Sequence, residues 1–340
     1  PPLPYTLTGK NCSFAFAMAL SYLNASYSVF AYAVRRYAGI SVCPPLPPAI
    51  SIELTGICNL ACPECLTGTG LTRRQNPFMS FDLAANVASQ LRSHVLSAWL
   101  SFQGEPMMHP EFFRIVSLFE GMNPVISTNG HWLDSESCIK LAGSPLKKII
   151  ISYDGFSADA YGIYRRGGDH ALVTEGIRRL AEATRERRSG LRIVLQFLVH
   201  RGNEHETDAA ASFARSVGAG FMVKTMQVLD HTRAGEWVPS DEGMSRYSAG
   251  DDGAWQPARS PSRGCLRMWT SAVITTDGDV VPCCYDKNGR HAMGNIAEQS
   301  FREIWRGERY RSFRSMVLKE RRNVDICSCC SQGRQLYKIC

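Results

Sequence analysis

The chain has 340 residues, enough for one large domain or two ordinary ones. With 44% hydrophobic, 10% aromatic and 20% charged residues it has the composition of a folded globular protein, which excludes wholesale disorder, collagen, coiled coil and a polytopic membrane protein. A formal net charge of +7 is too small and too dispersed to indicate nucleic acid.

The first element spans the uncharged stretch between Lys10 and Arg35. Phe16, Leu20, Leu23, Tyr27, Phe30 and Val34 recur at steps of four and three, while Ser21, Asn24 and Ser28 mark another face, so an amphipathic helix is expected. Its apolar face needs a cover: the rest of the protein, a second subunit or a membrane surface. The polar stripe speaks against a lipid-spanning helix, and no basic segment precedes a compact apolar run as in an export signal. Pro44 to Pro48 then read as a linker, which sets off residues 1–47.

Strand and helix signals alternate from there. Strands are expected at Ile50 to Thr55, Trp99 to Phe102, Val125 to Ser127, Lys148 to Tyr153, Ile193 to Val199 and Phe221 to Met226. Helices are expected after an N-cap at Ser80 and near 110–120, 134–142, 171–188 and 204–216. Six strands with intervening helices imply a parallel sheet, open or closed.

Thirteen cysteines are the unusual number, and ten of them fall into two groups. Clustering of that kind favours metal in a reducing compartment over a disulfide framework. Cys58, Cys62 and Cys65 follow the first strand, and three thiolates at this spacing suit three corners of a cubic iron-sulfur cluster with one iron left open. A catalytic zinc with an open position is the alternative. The second group is Cys265, Cys283, Cys284, Cys327, Cys329, Cys330 and Cys340.

The strand ends carry further signals: Gly104, Glu105 and Pro106 after the second, Ser127, Thr128 and Asn129 after the third, Ser152, Tyr153, Asp154 and Gly155 after the fourth. Together with the cysteine triad, these resemble in order and spacing the radical S-adenosylmethionine (radical SAM) superfamily, over roughly residues 48–230. One departure is Glu64, where that family more often has an aromatic or bulky residue. The resemblance implies an α/β fold, a partial (β/α)6 TIM-like barrel with active-site residues at strand ends. It implies that Cys58, Cys62 and Cys65 hold a 4Fe-4S cluster whose fourth iron is chelated by SAM. It further implies SAM binding by Gly104, Glu105 and Pro106, by Ser127, Asn129, Ser152 and Asp154, and by Arg165, whose guanidinium can grip a carboxylate. Taken singly, such residues are as readily turn formers and helix caps.

The second cysteine group, with Gly278 placed before Cys283, resembles the auxiliary-cluster modules of the same superfamily, SPASM and the shorter twitch. This implies a small C-terminal α+β domain over 265–340, after a linker at 231–264, with one auxiliary 4Fe-4S cluster on Cys265, Cys283, Cys327 and Cys330. A structural zinc on four cysteines is the alternative. Ser300 and Glu303 form a capping box inside that region, and Arg302 to Arg322 holds eight basic residues against three acidic.

The resulting expectation is a cytoplasmic radical SAM oxidoreductase of the dehydrogenase kind, reduced by a flavodoxin- or ferredoxin-type donor and acting on a small molecule, glycan or peptide, with no nucleic acid. Peptide or protein maturation, and a non-catalytic iron-sulfur or zinc scaffold, are the alternatives. Peripheral membrane contact is left open by the first helix and the basic stretch. Gln103, Gln196, Asn203, His205, Lys224 and Gln227 lie at or beyond strand ends and are candidates to face the substrate.

Overall fold

The computed structural model describes residues 9–40, 42, 45–258, 264–328 and 330, with side chains from residue 20 onward. Cys43, Cys329, Cys340 and the side chains of Cys12 and Phe16 lie outside the described set.

Helix α1 (Gly9–Ala33) runs into a wider turn at Val34–Ala38. The alternation then follows: β1 (Ala49–Ile52), α2 (Phe81–Leu91), β2 (Ser97–Trp99), α3 (Phe112–Leu118), β3 (Val125–Thr128), α4 (Ser135–Gly143) and β4 (Lys148–Ser152). It continues with α5 (Ala158–Tyr164), α6 (His170–Glu186), β5 (Arg192–Val199), α7 (Thr207–Ser216) and β6 (Gly220–Thr225). A two-stranded hairpin, β7 (Tyr247–Ala249) and β8 (Trp255–Pro257), precedes α8 (Arg267–Thr270), β9 (Ser271–Ile274), β10 (Asp279–Val281) and β11 (Gly294–Asn295). The helices α9 (Phe301–Arg306), α10 (Glu308–Glu320) and α11 (Asp325–Ser328) close the described chain.

Strands β1 to β6 pair in parallel and in chain order, so each crossover helix returns the chain to the same end of the sheet. The middle strand β4 reads Lys-Ile-Ile-Ile-Ser and is buried on both faces, as a strand covered by helices requires. Side-chain caps start the helices: Ser80 accepts from Leu83 N, Asp134 from Ser137 N, Ser157 from Ala160 N and Asp169 from Leu172 N. Second-strand pairing ends at Trp99, opposite Val125, because the chain then turns toward Gly104; the strand therefore lies earlier than Trp99 to Phe102. The region near 171–188 holds α6, with the separate helix α5 ahead of it.

The C-terminal region does not stand apart from this sheet. Strand β9 pairs in parallel with β1, and β10 and β11 follow antiparallel, giving one nine-stranded sheet in the order β11-β10-β9-β1-β2-β3-β4-β5-β6. Residues 231–258 pack as well, with Ala234, Trp237, Val238 and Tyr247 in a cluster that also holds Leu60, Tyr164, Leu198, Met226 and Val228. Cys62 belongs to that cluster, and Cys58 and Cys65 lie against it.

Helix α1 presents the reverse of the expected face. Ser28 is fully buried and Ser21 nearly so, whereas Leu23 is 66% and Phe30 56% exposed. Hydrogen bonding explains the choice. Asn24 Nδ2 donates to the carbonyl oxygens of Leu46 (2.6 Å) and His94 (3.0 Å), satisfying backbone acceptors that an apolar stripe would leave unpaired. Among the described residues no helix is long and apolar enough to cross a membrane. In the basic stretch, Arg314 is buried against Trp305 and Tyr310, and Arg321 lies at Cys330, so these two do not belong to an exposed charged face.

Candidate active site

The residues singled out at strand ends converge at the C-terminal end of the parallel sheet. The loop after β1 folds tightly: Ala61 N donates to Arg166 O and Cys65 N to Cys62 O. Gly68 permits this, since a Cβ there would meet the Cys62 backbone at 2.6 Å. Gly104 has φ +68°, and its Cβ would fall 2.3 Å from Thr55 O. Only glycine lets the second-strand turn lie against the end of β1.

Glu105 is buried and ties that turn to β3. Its carboxylate accepts from Thr128 Oγ1 (2.7 Å), Asn129 N (2.7 Å) and Met107 N (3.1 Å), while burial pushes its pKa up to about 7. The Gly104 carbonyl accepts no hydrogen bond from the described residues. Asn129 Nδ2 donates to Asn59 Oδ1 at 2.7 Å and reaches Cys58 Sγ at 3.6 Å. Ser127 lies half-buried at the end of β3, its N–H donating to Ser101 Oγ, and Ser152 is buried at the end of β4. Pro106 is buried at the start of a short turn.

Asp154 is wholly buried, with Oδ2 accepting from Arg165 Nε at 2.5 Å and Oδ1 from Leu198 N at 2.7 Å. Arg165 Nη1 also points at Cys62 Sγ, 3.8 Å away. Burial works against the guanidinium charge, but Asp154 and Cys62 more than restore it. The structure therefore gives Arg165 a partner within the chain. Glu64 has a role too: its carboxylate accepts from Leu229 N at 2.6 Å, fastening the cysteine loop to the segment after β6.

The donor set around the first group suits thiolates bound to iron. Leu60 N–H (3.4 Å) and Asn129 reach Cys58, Arg165 reaches Cys62, and N–H groups aimed at sulfur stabilise cluster thiolates. Burial raises the Cys58 thiol to about 11, so ligation releases a proton there. Among the described residues no three His, Cys, Asp or Glu side chains converge in metal-ligating geometry.

The second group is braced by two arginines. Arg321 Nη2 reaches Cys330 Sγ at 3.4 Å and sits beside Cys265 and Cys327, and Arg267 Nη1 donates to Cys284 Sγ at 3.1 Å. The hydrogen bond from Cys283, aided by Arg267, Lys287 and Lys224, holds Cys284 below the usual thiol range, while burial lifts Cys327 to about 11. The two groups are docked on each other. Arg74 pairs with buried Glu53 at the end of β1 (2.5 Å) and donates to Lys287 O (2.8 Å), and Arg73 N donates to Asn288 Oδ1.

Of the candidates to face substrate, Asn203 is consumed by the fold, bonded to Asp154 O, Leu198 O and His200 N. His205 lines a groove with Thr207, Asp208, Pro239 and Met244 on the helix side. Gln103 donates to Phe102 O, and Gln196 and Gln227 are half-buried. Lys224 remains at the site, joined by Lys287 and Arg246, which strand-end reasoning missed. Proximity to the cysteine pair at 283 and 284 was a signal for Lys287; nothing local marked Arg246.

A half-barrel carrying a cysteine triad at its strand ends, extended at one edge by a second cysteine-bearing region, defines a class of iron-sulfur barrel proteins. The family model for the radical SAM superfamily matches residues 52–213, and that for the SPASM iron-sulfur cluster-binding domain matches residues 265–331. The chain is 30% identical to GTP 3',8-cyclase of Pelotomaculum thermopropionicum, over 63% of this chain and 67% of that protein. It is 27% identical to PqqA peptide cyclase of Gluconobacter oxydans, over 77% of each. It is 25% identical to the S-adenosyl-L-methionine-dependent 2-deoxy-scyllo-inosamine dehydrogenase of Niallia circulans, over 83% of this chain and 92% of that one. The crystal structure of BtrN with AdoMet and 2-DOIA shares the fold, with TM-score 0.53, 22% identity and coverage of 84% of this chain and 93% of that one. The chain belongs to the radical SAM superfamily and carries a SPASM domain. It is a radical SAM enzyme whose cofactors are SAM, a 4Fe-4S cluster and auxiliary iron-sulfur.

Proposed function

We propose that the chain is an oxidoreductase that removes hydrogen from a substrate carbon and passes the second electron to a single auxiliary 4Fe-4S cluster. In this reading Cys58, Cys62 and Cys65 hold the first cluster, and Cys265, Cys283, Cys327 and Cys330 the auxiliary one. Residues 48–230 form the core barrel, and 265–340 the auxiliary domain. With a flavodoxin- or ferredoxin-type donor, the bound cofactors supply reductive cleavage of SAM to methionine and a 5'-deoxyadenosyl radical. The protein's own contribution is to hold and shield. Gly104, Glu105 and Pro106 offer backbone groups to the amino end of SAM, and Ser127, Asn129 and Ser152 line its path. Asp154 and Arg165 act as a pair, Arg165 keeping the free side of its guanidinium for the carboxylate.

The observation that carries the reading is the docking of the two cysteine regions through Arg74, Glu53 and Lys287 on one sheet. The extended match to the dehydrogenase supports oxidation, and the match to PqqA peptide cyclase supports a second reading, peptide modification. Anaerobic turnover with dithionite tests both. Deuterium transfer into 5'-deoxyadenosine is expected from a labelled aminocyclitol or polyol; transfer from a peptide only would favour the second reading, and no SAM cleavage would refute both.

We also propose a cytoplasmic site of action at an anionic membrane surface. Leu20, Leu23, Tyr27 and Phe30 of α1 are exposed, Arg35 and Arg36 follow in the turn after the helix, and exposed Arg302 and Arg306 lie beside His94, whose carbonyl accepts from Asn24. Exposed apolar residues on a helix that runs into basic residues are the pattern of an interfacial helix. Co-sedimentation with phosphatidylglycerol vesicles, but not phosphatidylcholine, is expected, and Leu23→Glu with Phe30→Glu should abolish it. Equal binding to both lipids, or none, would contradict the proposal.

A further inference from the structure

Each cysteine region receives an arginine, and the two arginines differ in what else holds them. In the loop after β1, Arg165 Nη1 reaches Cys62 Sγ at 3.8 Å while its Nε donates to Asp154 Oδ2 at 2.5 Å, so the positive charge beside that sulfur is met by a buried carboxylate. In the auxiliary region Arg321, the residue after α10, donates through Nη2 to Cys330 Sγ at 3.4 Å and through Nη1 to Gly264 O at 2.9 Å. Cys265 follows Gly264 directly, and Cys265 and Cys327 lie beside the same guanidinium, their thiols favouring its charged form.

The backbone holds this contact in place. Gly264 N donates to Val317 O at 3.2 Å, which fixes the segment entering Cys265 on α10. From Arg321 onward the hydrogen bonds are continuous: Val324 N donates to Arg321 O (3.3 Å), Cys327 N to Val324 O (2.8 Å) and Cys330 N to Cys327 O (3.0 Å). The guanidinium and the sulfurs it meets therefore belong to one hydrogen-bonded frame. Four thiolates on Cys265, Cys283, Cys327 and Cys330 would leave a bound 4Fe-4S cluster with net negative charge, which resists a further electron. A fixed cation that donates to a ligating sulfur opposes that resistance, because net charge and hydrogen bonds to sulfur set the potential of such clusters.

We propose that Arg321 raises the reduction potential of the auxiliary cluster through its contact with the Cys330 sulfur, and so suits that cluster to accept an electron from the substrate. This role rests on the assignment of an auxiliary 4Fe-4S cluster to the second cysteine group, and it deepens that reading. The substrate radical loses one electron and one proton; the cluster gains the electron and the proton passes to solvent. Arg321 is a positioning residue in this scheme, since it acts through Cys330 and not on the substrate. Arg165 cannot bias the first cluster as strongly, because Asp154 meets its charge.

The test is a potentiometric titration of the anaerobically reconstituted full chain, followed by electron paramagnetic resonance in the reduced signal that does not respond to SAM. Arg321→Met should lower the ratio of reduced to oxidised auxiliary cluster about ten-fold at a fixed potential, the scale of one charge-assisted hydrogen bond, which is about 59 mV for a one-electron couple. Arg321→Lys keeps the charge without the planar fork and should fall between the two. The exposed neighbour Arg322 serves as the control: Arg322→Met removes the same charge one residue on and should leave the midpoint at the parent's value. Iron content and the SAM-responsive signal should match the parent in all three. An unmoved midpoint in Arg321→Met with full iron would overturn the proposal, as would an equal shift in Arg322→Met. If Arg321→Met alone loses the second cluster, Arg321→Lys gives the answer, a lower midpoint supporting the proposal and an unmoved one overturning it. Loss of that cluster from both Arg321 variants would make the residue a structural strut and overturn it too. A parent with no second cluster would refute the auxiliary-cluster reading instead.

Discussion

Two sides of the same sheet end treat buried charge in opposite ways. Around β1, β3 and β4 the charges are matched: Glu53 with Arg74, Asp154 with Arg165, Glu105 with three donors. Around β6 and the turn after β10, burial works against the charges of Lys224 and Lys287, whose neighbours are Arg246 and the thiols Cys65 and Cys284 rather than a paired carboxylate. The matched side builds a rigid cradle whose geometry does not wait for a ligand. On the lysine side burial outweighs the neighbouring thiols, so the two ammonium charges carry a cost in the free protein.

The largest effect should come from breaking the matched side. Asp154→Ala leaves Arg165 buried without its carboxylate and Leu198 N without an acceptor, and should destabilise the fold by about 3–5 kcal/mol in denaturant titration. Gly104→Ala should cost about 3 kcal/mol, from positive φ and the clash with Thr55 O, and should lower SAM affinity as the turn shifts. An unchanged midpoint for either would mean that the cradle is softer than its hydrogen bonds imply.

The unmatched side should respond with the opposite sign. Lys224→Met should stabilise the chain at pH 7 by about 1–2 kcal/mol. Because the folded-state pKa is lowered, from 10.5 to about 8, the unfolded chain holds this proton more tightly. The parent's stability therefore rises with pH across that interval and is lost as pH falls through about 8. The advantage of Lys224→Met should accordingly be full below pH 8 and shrink toward pH 10. Destabilisation by this variant at pH 7 would show that the lysine already has a counter-charge.

The smallest effect concerns Glu105, whose folded-state pKa is raised to about 7 by burial. Its contribution is complete below about 4.5 and declines as pH rises through 7, so thermal stability should fall over that window less in Glu105→Gln than in the parent. Parallel pH profiles would contradict it.

Much of this cradle was legible in the sequence, because it is local. The apolar runs at Lys148 to Tyr153 and Ile193 to Val199 became β4 and β5, and Ser80 and the Ser300–Glu303 box cap helices as their spacing implies. What could not be read depends on partners distant in the chain. No periodicity marks Ser271–Ile274 as the parallel neighbour of β1, or turns Arg246 toward Thr225 and Tyr285. Helix α1 shows the same limit: its pattern defined two faces, but the carbonyls of Leu46 and His94 decided which one turned inward.

Both cysteine groups are expected to hold iron-sulfur clusters on one chain. Anaerobic reconstitution followed by iron analysis and electron paramagnetic resonance tests it directly. About eight irons per chain are expected, with about four remaining after joint replacement of Cys58, Cys62 and Cys65 by Ala, and with the SAM-induced change in the reduced signal lost. The paired Cys327→Ala and Cys330→Ala variant should lose the other four and keep that SAM response. Tetrahedral zinc without iron, or an iron count indifferent to the first triad, would contradict two iron-sulfur clusters on this chain.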